Sequence, residues 1–309
     1  MNKIIAIAGP TAVGKTKFAI EIAKKFNGEI VSCDSMQLYK YMNIGSAKPT
    51  PDELSEVKHH LVDFLDPRED FSVAQYQKLA RAAIDEIFSA DKIPVISGGT
   101  GLYLNSLLYK MDFSSVPQDF SYRNELAKIA EQEGPHALHH MLFEKDEAAA
   151  ASIHPNNTKK IIRALERLNE GEGTVRPFSS IKEPVKDYEV LLIGLTRDRA
   201  ELYDRINRRV DILVEHGLAE EVKGLMKMGL TPEHISMKGI GYKEIMEHFL
   251  GKCSLEEAVN IVKKNTRHYA KKQLTWFRRY DKMNWYNISE YDSDNDAVED
   301  IVKWLATKL

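Results

Sequence analysis

The stretch KIIAIAGPTAVGKT (residues 3–16) joins a short apolar run to a glycine-rich loop. Residues 9–16 match the pattern G-x-x-x-x-G-K-[ST], whose glycines let successive backbone N–H groups turn inward around a phosphate. Apolar Phe18, Ile22 and Phe26 then recur every four residues, which predicts a helix whose N-terminus adds positive potential to the loop. We therefore expect a strand, a phosphate-binding loop and a helix in succession. The pattern leaves open which phosphate compound binds.

Strands and helices alternate through the first 110 residues. EIVSC (29–33) and KIPVISGG (92–99) predict further buried strands, and SVAQYQKLARAAIDEIFSA (72–90) predicts an amphipathic helix between them. DYEVLLIGLT (187–196) predicts a later strand of the same kind. The sequence therefore predicts an α/β fold with a P-loop NTPase-like parallel sheet flanked by helices.

The alternation is interrupted near residue 113 by a long polar stretch of helical character. We predict an all-helical insertion at 113–186, inside a core domain formed by residues 1–112 and 187–309. The two cysteines form no disulfide framework, and no apolar run approaches the ~20 residues of a membrane span. We therefore expect a cytoplasmic protein without a membrane segment.

Two polar residues follow predicted strands. Asp34 comes directly after the second strand, and Thr100 opens a helix after the glycine-rich turn at 97–101. The carboxyl ends of parallel strands line the ligand crevice, so Asp34 should face the phosphate loop. Asp34 fits a turn cap, a Mg²⁺ ligand or a general base, and the residues alone do not choose among these. Thr100 either caps its helix or donates to a phosphate oxygen.

Charge is unevenly distributed along the chain. The net charge is −3 at pH 7, yet residues 263–282 carry eight Lys and Arg against one acid, with aromatic residues interleaved. Basic residues also recur at 159–167 and at 238–243. Cations neutralise phosphates and aromatic rings stack on exposed bases, although a solvated helix face with its aromatics in the core gives the same pattern. Three basic sites in an acidic chain favour a polyanion longer than a nucleotide.

Eight blocks of the sequence occur together in one known family. They are GPTAVGKT, DSMQLYKYMNIGSAKPT, HHLVDFLDP, FSVAQY, GGTGLYL, IHPNNTKKIIRALE, GYKE and TRHYAKKQLTWFRR. In this order they closely resemble the bacterial tRNA dimethylallyltransferases, over residues 3–280. The resemblance implies transfer of the dimethylallyl group of dimethylallyl diphosphate to N6 of the adenosine 3′-adjacent to the anticodon (position 37). It implies tRNAs reading codons that begin with U, their anticodon stem-loop as partner and Mg²⁺ as cofactor, and we expect a monomer.

The resemblance also implies roles for individual residues. Asp34 resembles a general base at the adenine amine, Thr100 a threonine at the leaving diphosphate, and Arg123 an arginine that reaches the active site. Thr16 would ligate Mg²⁺. The implied diphosphate-binding residues are Gly9, Pro10, Thr11, Ala12, Val13, Gly14, Lys15 and Thr16. The predicted tRNA-binding residues are Asp34, Ser35, Met36, Gln37, Lys159, Lys160, Ile161, Ile162, Arg163, Lys238, Gly239, Ile240, Gly241, Tyr242, Lys243, Arg267, Lys271 and Arg278.

One block departs from the commoner family pattern, TRQYAKRQ. His268 and Lys272 stand at the two differing positions. Lys272 can still meet a phosphate, although without the bidentate geometry of arginine. We expect these differences to change a contact more than the fold.

Three other functions are compatible with the phosphate loop. A free-adenylate dimethylallyltransferase would share the chemistry, but a mononucleotide needs neither a helical insertion nor three basic sites. A P-loop kinase of a small metabolite predicts ATP turnover with a small acceptor. A non-catalytic tRNA-binding module would leave the phosphate loop and Asp34 without a purpose.

Overall fold

The computed structural model describes residues 1–111, 120–169 and 183–309. They form two compact units, one of Met1–Leu108 with Val185–Leu309 and the other of Tyr109–Pro184. The sequence predicts the first domain boundary at residues 112 and 113, which lie outside the described residues. The limits of the insertion at 113–186, and its contact with tRNA, stay predictions.

A six-stranded sheet forms the centre of the first unit, and all of its strand pairs are parallel. The prediction of a P-loop NTPase-like parallel α/β sheet is confirmed. The spatial order is β3-β2-β4-β1-β5-β6. The strands are β1 Lys3–Ala8, β2 Gly28–Ser32, β3 His59–His60, β4 Ile93–Gly98, β5 Glu189–Thr196 and β6 Asn284–Asn287.

Two of these strands were not predicted. β3 is only two residues long, and β6 lies in a region that we expected to be mostly helical. Both are edge strands, so each needs only one partner and little apolar alternation of its own. β6 takes its position from β5, against which Ile193–Thr196 pair with Asn284–Asn287.

Helices cover the sheet and form most of the second unit. The first unit contains α1 to α4 and α9 to α13, and the second contains α5 to α8. Short 3-10 helices occur at Ser236–Lys238 and Ile288–Glu290. The helices are α1 Lys15–Lys25, α2 Pro51–Glu56, α3 Val73–Ser89, α4 Gly101–Leu108, α5 Phe120–Gln132, α6 Pro135–Lys145, α7 Glu147–Ser152, α8 Thr158–Asn169, α9 Arg199–Glu215, α10 Leu218–Lys227, α11 Tyr242–Phe249, α12 Leu255–Phe277 and α13 Asp294–Ala306.

Part of the core of the first unit lies between the sheet and α1. Ile5 and Ile7 of β1 pack with Phe18 and Ile22 of α1, and all four are essentially without solvent exposure. Each such side chain contributes about 1.5–3 kcal/mol through burial. The four-residue spacing seen in the sequence is thus the buried face of α1, which fixes the phosphate loop between two rigid elements.

The carboxyl ends of the strands meet at one edge of the sheet. Ala8 at the end of β1 pairs with Gly98 of β4 and Gly194 of β5, and Ser32 of β2 pairs with Ser97. The loops that leave β1, β2 and β4 are therefore neighbours. In the described part of the chain no helix is both long enough and apolar enough to span a membrane.

Candidate active site

A cavity of about 350 Å³ opens at the carboxyl edge of the sheet, within the first unit. The phosphate loop (residues 9–16), the segment after β2 and the end of β4 meet there, and α9 and α12 supply further side chains. Its lining combines cationic with anionic and amide groups. The lining residues are Thr11, Ala12, Gly14, Lys15, Thr16, Lys17, Asp34, Gln37, Ser46, Ala47, Glu53, Ser97, Gly98, Arg209, Tyr269 and Gln273.

The phosphate loop has the backbone that a phosphate cradle requires. Gly14 has a φ of +114° and Ala12 a φ of +64°, so the chain reverses twice within the loop. Gly9 starts the loop in close contact with β5, because a Cβ there would lie 2.6 Å from the carbonyl oxygen of Leu195. These positive φ angles, and the close approach of Gly9 to β5, explain why the predicted loop between β1 and α1 needs its glycines.

Two arginines donate to carbonyl oxygens of the phosphate loop. Nε of Arg205 lies 2.9 Å from the oxygen of Ala12, and Nε of Arg197 lies 3.1 Å from the oxygen of Val13. A carbonyl held in this way fixes its peptide plane, and with it the direction of the following N–H. Arg197 is itself held by Glu201 and Asp294, each at 2.6 Å.

Lys15 is the main cation of the cavity. Its ammonium donates to the carbonyl oxygens of Gly9 and Pro10, at 3.1 and 2.9 Å. Burial, with a smaller contribution from neighbouring Arg209, lowers the pKa of Lys15 to about 8, although Asp34 opposes the shift. Burial likewise lowers the pKa of Arg209. These costs of keeping cations away from water are reduced when an anion enters, so the cavity favours a negatively charged ligand.

The loop after β2 is tied to the turn after β4. Oδ1 of Asp34 accepts from the backbone N–H of Met36 at 2.8 Å, as a turn cap does, while the carboxylate lines the cavity. Oγ1 of Thr100 accepts from the N–H of Ser35 at 3.1 Å, and the N–H of Thr100 donates to the oxygen of Cys33 at 3.1 Å. These hydrogen bonds hold the turn after β4 against residues 33–35 and so bring Thr100 close to Asp34, while the catalytic roles of both stay predictions.

Gln37 links the beginning and the end of the 34–47 segment, our name for residues Asp34 to Ala47. Its Nε2 donates to the oxygen of Ala47 at 3.1 Å, and its Oε1 accepts from the hydroxyl of Ser32 at 3.2 Å. Both Gln37 and Ala47 line the cavity. The 34–47 segment therefore contributes a carboxylate and neutral polar groups to the lining of the cavity, whereas the phosphate loop contributes a cation.

Helix α12 connects the two glycine-rich turns through Gln273. Oε1 of this buried amide accepts from the N–H of Thr11 at 2.9 Å, and its Nε2 donates to the oxygen of Gly99 at 2.9 Å. A Cβ at Gly99 would lie 2.3 Å from that Nε2. One turn earlier, burial near Asp34 raises the pKa of Tyr269 to about 12, so its hydroxyl stays neutral.

Most predicted tRNA-binding cations are exposed. Lys159, Lys160 and Arg163 lie on the exposed face of α8, whose other face is the core of the second unit. Elsewhere Lys238, Lys243, Lys271 and Arg278 are exposed, whereas Arg267 is half-buried and donates to Oδ1 of Asn207 at 2.5 Å. Their roles in tRNA binding stay predictions.

Two of the predicted tRNA-binding residues lie in hydrophobic cores. Ile161 is fully buried in the second unit, and Tyr242 is fully buried in the first, where its hydroxyl donates to Glu221. Neither side chain is exposed in this structure, and the assignment of both residues to tRNA contact stays a prediction. A β-branched residue within an amphipathic helix, such as Ile161, was the sign of burial in the sequence.

Arg123 forms an ion pair inside the second unit. Its Nε lies 2.6 Å and its Nη2 2.8 Å from the two carboxylate oxygens of buried Glu166. This bidentate geometry joins α5 to α8. The role of Arg123 at the active site stays a prediction.

Sequence reasoning missed several residues of the cavity. Arg209, which lines the cavity, and Arg205, which donates to Ala12 of the phosphate loop, could not be told from a solvated helix face in DRAELYDRINRR, although they are four residues apart and so share a face of α9. Gln273 lies in the basic stretch 263–282, and no local pattern there indicates that its side chain is buried. These side chains are identified by their positions in the fold, because no local motif indicates their roles.

The donor set fits Mg²⁺ held together with a diphosphate. Among the described residues, no three His, Cys, Asp or Glu side chains cluster as a metal cage. Thr16 and Asp34 nevertheless place a hydroxyl and a carboxylate in one cavity. Mg²⁺ commonly takes one or two such protein oxygens and completes its shell with phosphate oxygens and water.

Comparisons with known proteins agree on one family. The family model for IPP transferase matches residues 37–280. A tRNA dimethylallyltransferase of Alkaliphilus oremlandii is 49% identical to this chain, with 98% of this chain and 96% of the relative covered. One of Acetivibrio thermocellus is 48% identical, with 99% and 98% covered.

Solved structures give the same result. The full-length tRNA isopentenylpyrophosphate transferase of Bacillus halodurans matches with a TM-score of 0.75 and 43% identity, covering 100% of this chain and 97% of that one. A eukaryotic dimethylallyltransferase acting on tRNA matches with a TM-score of 0.80 and 27% identity, covering 97% and 78%. The chain belongs to the IPP transferase family.

Proposed function

We propose that this chain transfers the dimethylallyl group of dimethylallyl diphosphate to N6 of adenosine 37 in tRNAs reading codons that begin with U, and releases diphosphate. The observation that carries the proposal is a single cavity in which the phosphate loop faces a carboxylate and an amide. Lys15, Thr16 and Arg209 line it together with Asp34 and Gln37. The names of relatives that are nearly half identical over the whole chain point to the same reaction.

The phosphate loop and its cations hold the diphosphate. Backbone N–H groups of residues 14–16, at the N-terminus of α1, donate to its oxygens, and Lys15 and Arg209 neutralise its charge. Thr16 would hold Mg²⁺ together with the diphosphate, and the ion would supply further stabilisation of negative charge on the leaving group. Because this charge increases as the C1–O bond breaks, the same groups bind the transition state more strongly than the substrate.

Asp34 acts as the general base. The exocyclic amine of adenine is a weak nucleophile because its lone pair is delocalised into the ring. As the bond from N6 to C1 forms and the C1–O bond breaks, one amine proton passes to a carboxylate oxygen of Asp34. Oδ1 accepts from the N–H of Met36 at 2.8 Å. Asp34 therefore caps the turn and acts as a base at the same time, because the turn orients its carboxylate.

The remaining predicted residues serve the two substrates. Thr100 stabilises the leaving diphosphate, Gln37 hydrogen-bonds the adenine removed from the anticodon stack, and Arg123 assists at the active site. The exposed cations of α8, of residues 238–243 and of α12 bind tRNA phosphates, which compensates the few kcal/mol that unstacking costs. We propose that the enzyme acts as a monomer in the cytoplasm, where its tRNA substrate is.

The deciding experiment offers one prenyl donor to different acceptors. Purified protein is incubated with Mg²⁺, radiolabelled dimethylallyl diphosphate and either unmodified tRNA or AMP. We expect label in tRNA alone, and none in a matched tRNA carrying guanosine at position 37. Label in AMP alone would indicate an adenylate dimethylallyltransferase, and label in neither acceptor would refute prenyl transfer.

A further inference from the structure

The 34–47 segment is held by a carboxylate from a distant helix. Glu221 of α10 accepts from three consecutive backbone N–H groups. Its Oε2 lies 2.8 Å from the nitrogens of both Asn43 and Ile44, and its Oε1 lies 3.0 Å from the nitrogen of Gly45. Three adjacent N–H groups directed at one carboxylate form an anion-binding nest, here occupied by a side chain of the same protein.

The next N–H in the chain is satisfied by Tyr242. Its hydroxyl donates to Oε1 of Glu221 at 2.8 Å and accepts from the N–H of Ser46 at 3.0 Å. The ring is fully buried, and a Cβ at Gly45 would lie 2.5 Å from its Cζ. Glu221 and Tyr242 together therefore fix four successive peptide groups.

These peptide groups lead directly into the wall of the cavity. Ser46 and Ala47 line it, and the oxygen of Ala47 accepts from Nε2 of Gln37 at 3.1 Å. Displacing residues 43–46 would move this oxygen and release the amide of Gln37. The position of the Gln37 side chain thus depends on Glu221 and Tyr242, which do not themselves line the cavity.

We propose that Glu221 and Tyr242 are positioning residues for the tRNA substrate, and that they act through the amide of Gln37. The inference rests on the proposed function, since it assigns Gln37 to the adenine. The diphosphate side of the cavity is braced separately, by Arg197, Arg205 and Gln273. The pair therefore governs use of the acceptor and leaves diphosphate binding unaffected.

Two variants test the proposal. In Glu221→Gln, either orientation of the amide turns an NH₂ group toward at least one backbone N–H, so the nest loses its shape. Tyr242→Phe keeps the ring but leaves the N–H of Ser46 without its acceptor. We expect kcat/KM for tRNA to fall by about tenfold or more in each variant. The dissociation constant of inorganic diphosphate should change less than twofold. Glu220→Gln is the control, because it removes the same charge from an exposed neighbour on α10.

A double-mutant cycle separates positioning from general packing. If Glu221 acts through Gln37, Glu221→Gln will cost much less in a Gln37→Ala background than in the wild type. Additive losses, equal weakening of diphosphate binding, or an unchanged kcat/KM for tRNA would each overturn the inference. A wild-type protein that fails to label tRNA would instead refute the proposed function, so the two failures are distinguishable.

Discussion

The phosphate loop and the 34–47 segment are two sides of one cavity, and they are built in different ways. The conformation of the phosphate loop is favoured by its own eight consecutive residues and by helix α1 directly after it, and Arg197, Arg205 and Gln273 only brace it from later in the chain. The 34–47 segment is shaped by Glu221 and Tyr242, nearly two hundred residues further along the chain. A diphosphate site can therefore be recognised from a short motif, whereas the site for the acceptor depends on the assembled fold.

The largest expected effect concerns Asp34, the base on the acceptor side. Asp34→Asn keeps an oxygen that can accept from the N–H of Met36, so the turn is preserved, but the amide does not take up a proton. We expect kcat to fall by about 10²–10⁴-fold, the usual contribution of a general base. Single-turnover transfer of label to tRNA measures this, with inorganic diphosphate binding as the control for folding. If transfer continues at the wild-type rate, Asp34 is not the base.

A smaller effect is expected at Gln273, on the diphosphate side. Gln273→Met removes both hydrogen bonds and leaves the N–H of Thr11 and the oxygen of Gly99 unpaired, at about 1–3 kcal/mol for a buried group. Gln273→Glu adds a buried negative charge facing the oxygen of Gly99 and the bound diphosphate. We expect diphosphate affinity to decrease about tenfold with Met and further with Glu, as measured by calorimetry.

The matched control for Gln273 is Gln132→Glu, which introduces the same charge at an exposed position of α5. tRNA affinity, measured by filter binding, should change little in all three variants. An equal loss of tRNA affinity at Gln273 would show that the two sides of the cavity are not braced separately.

The smallest expected effect is the uptake of a fraction of a proton by Lys15 when the diphosphate binds. The pKa of Lys15 is lowered to about 8 in the free protein, and a bound diphosphate raises it because the anion stabilises the ammonium. Between these two pKa values, binding takes up a proton; below the lower value, Lys15 is charged in both states and takes up none. We expect Lys15 to contribute about half a proton at pH 8 and almost none at pH 6.5.

Calorimetry of dimethylallyl diphosphate binding in buffers of different ionisation enthalpy measures this uptake. Lys15→Arg is the control, since arginine remains charged at pH 8 and the titration of the ligand is common to both proteins. Equal proton uptake by the two proteins at pH 8 would contradict the lowered pKa.

The sequence predicted what is encoded locally. GPTAVGKT gave the phosphate loop and its helix, and Asp34 was expected at the edge of the sheet because parallel strands end together. Arg209 and Gln273 were missed because helices α9 and α12 bring them to the cavity through packing, which leaves no local signal. The burial of Tyr242 was missed for a related reason: a tyrosine between exposed lysines resembles a surface residue until the fold buries its ring.

The close approach of α12 to the turn after β4 also constrains the order in which this chain can accumulate substitutions. A side chain at position 99 would collide with Nε2 of Gln273, and one at position 101 with Cδ1 of Trp276, each at 2.3 Å. Shortening residue 273 or 276 causes no clash while both glycines remain, although at 273 it also leaves the N–H of Thr11 and the oxygen of Gly99 unpaired. The reverse order is blocked, so drift at this contact should begin on the helix and reach the turn afterwards.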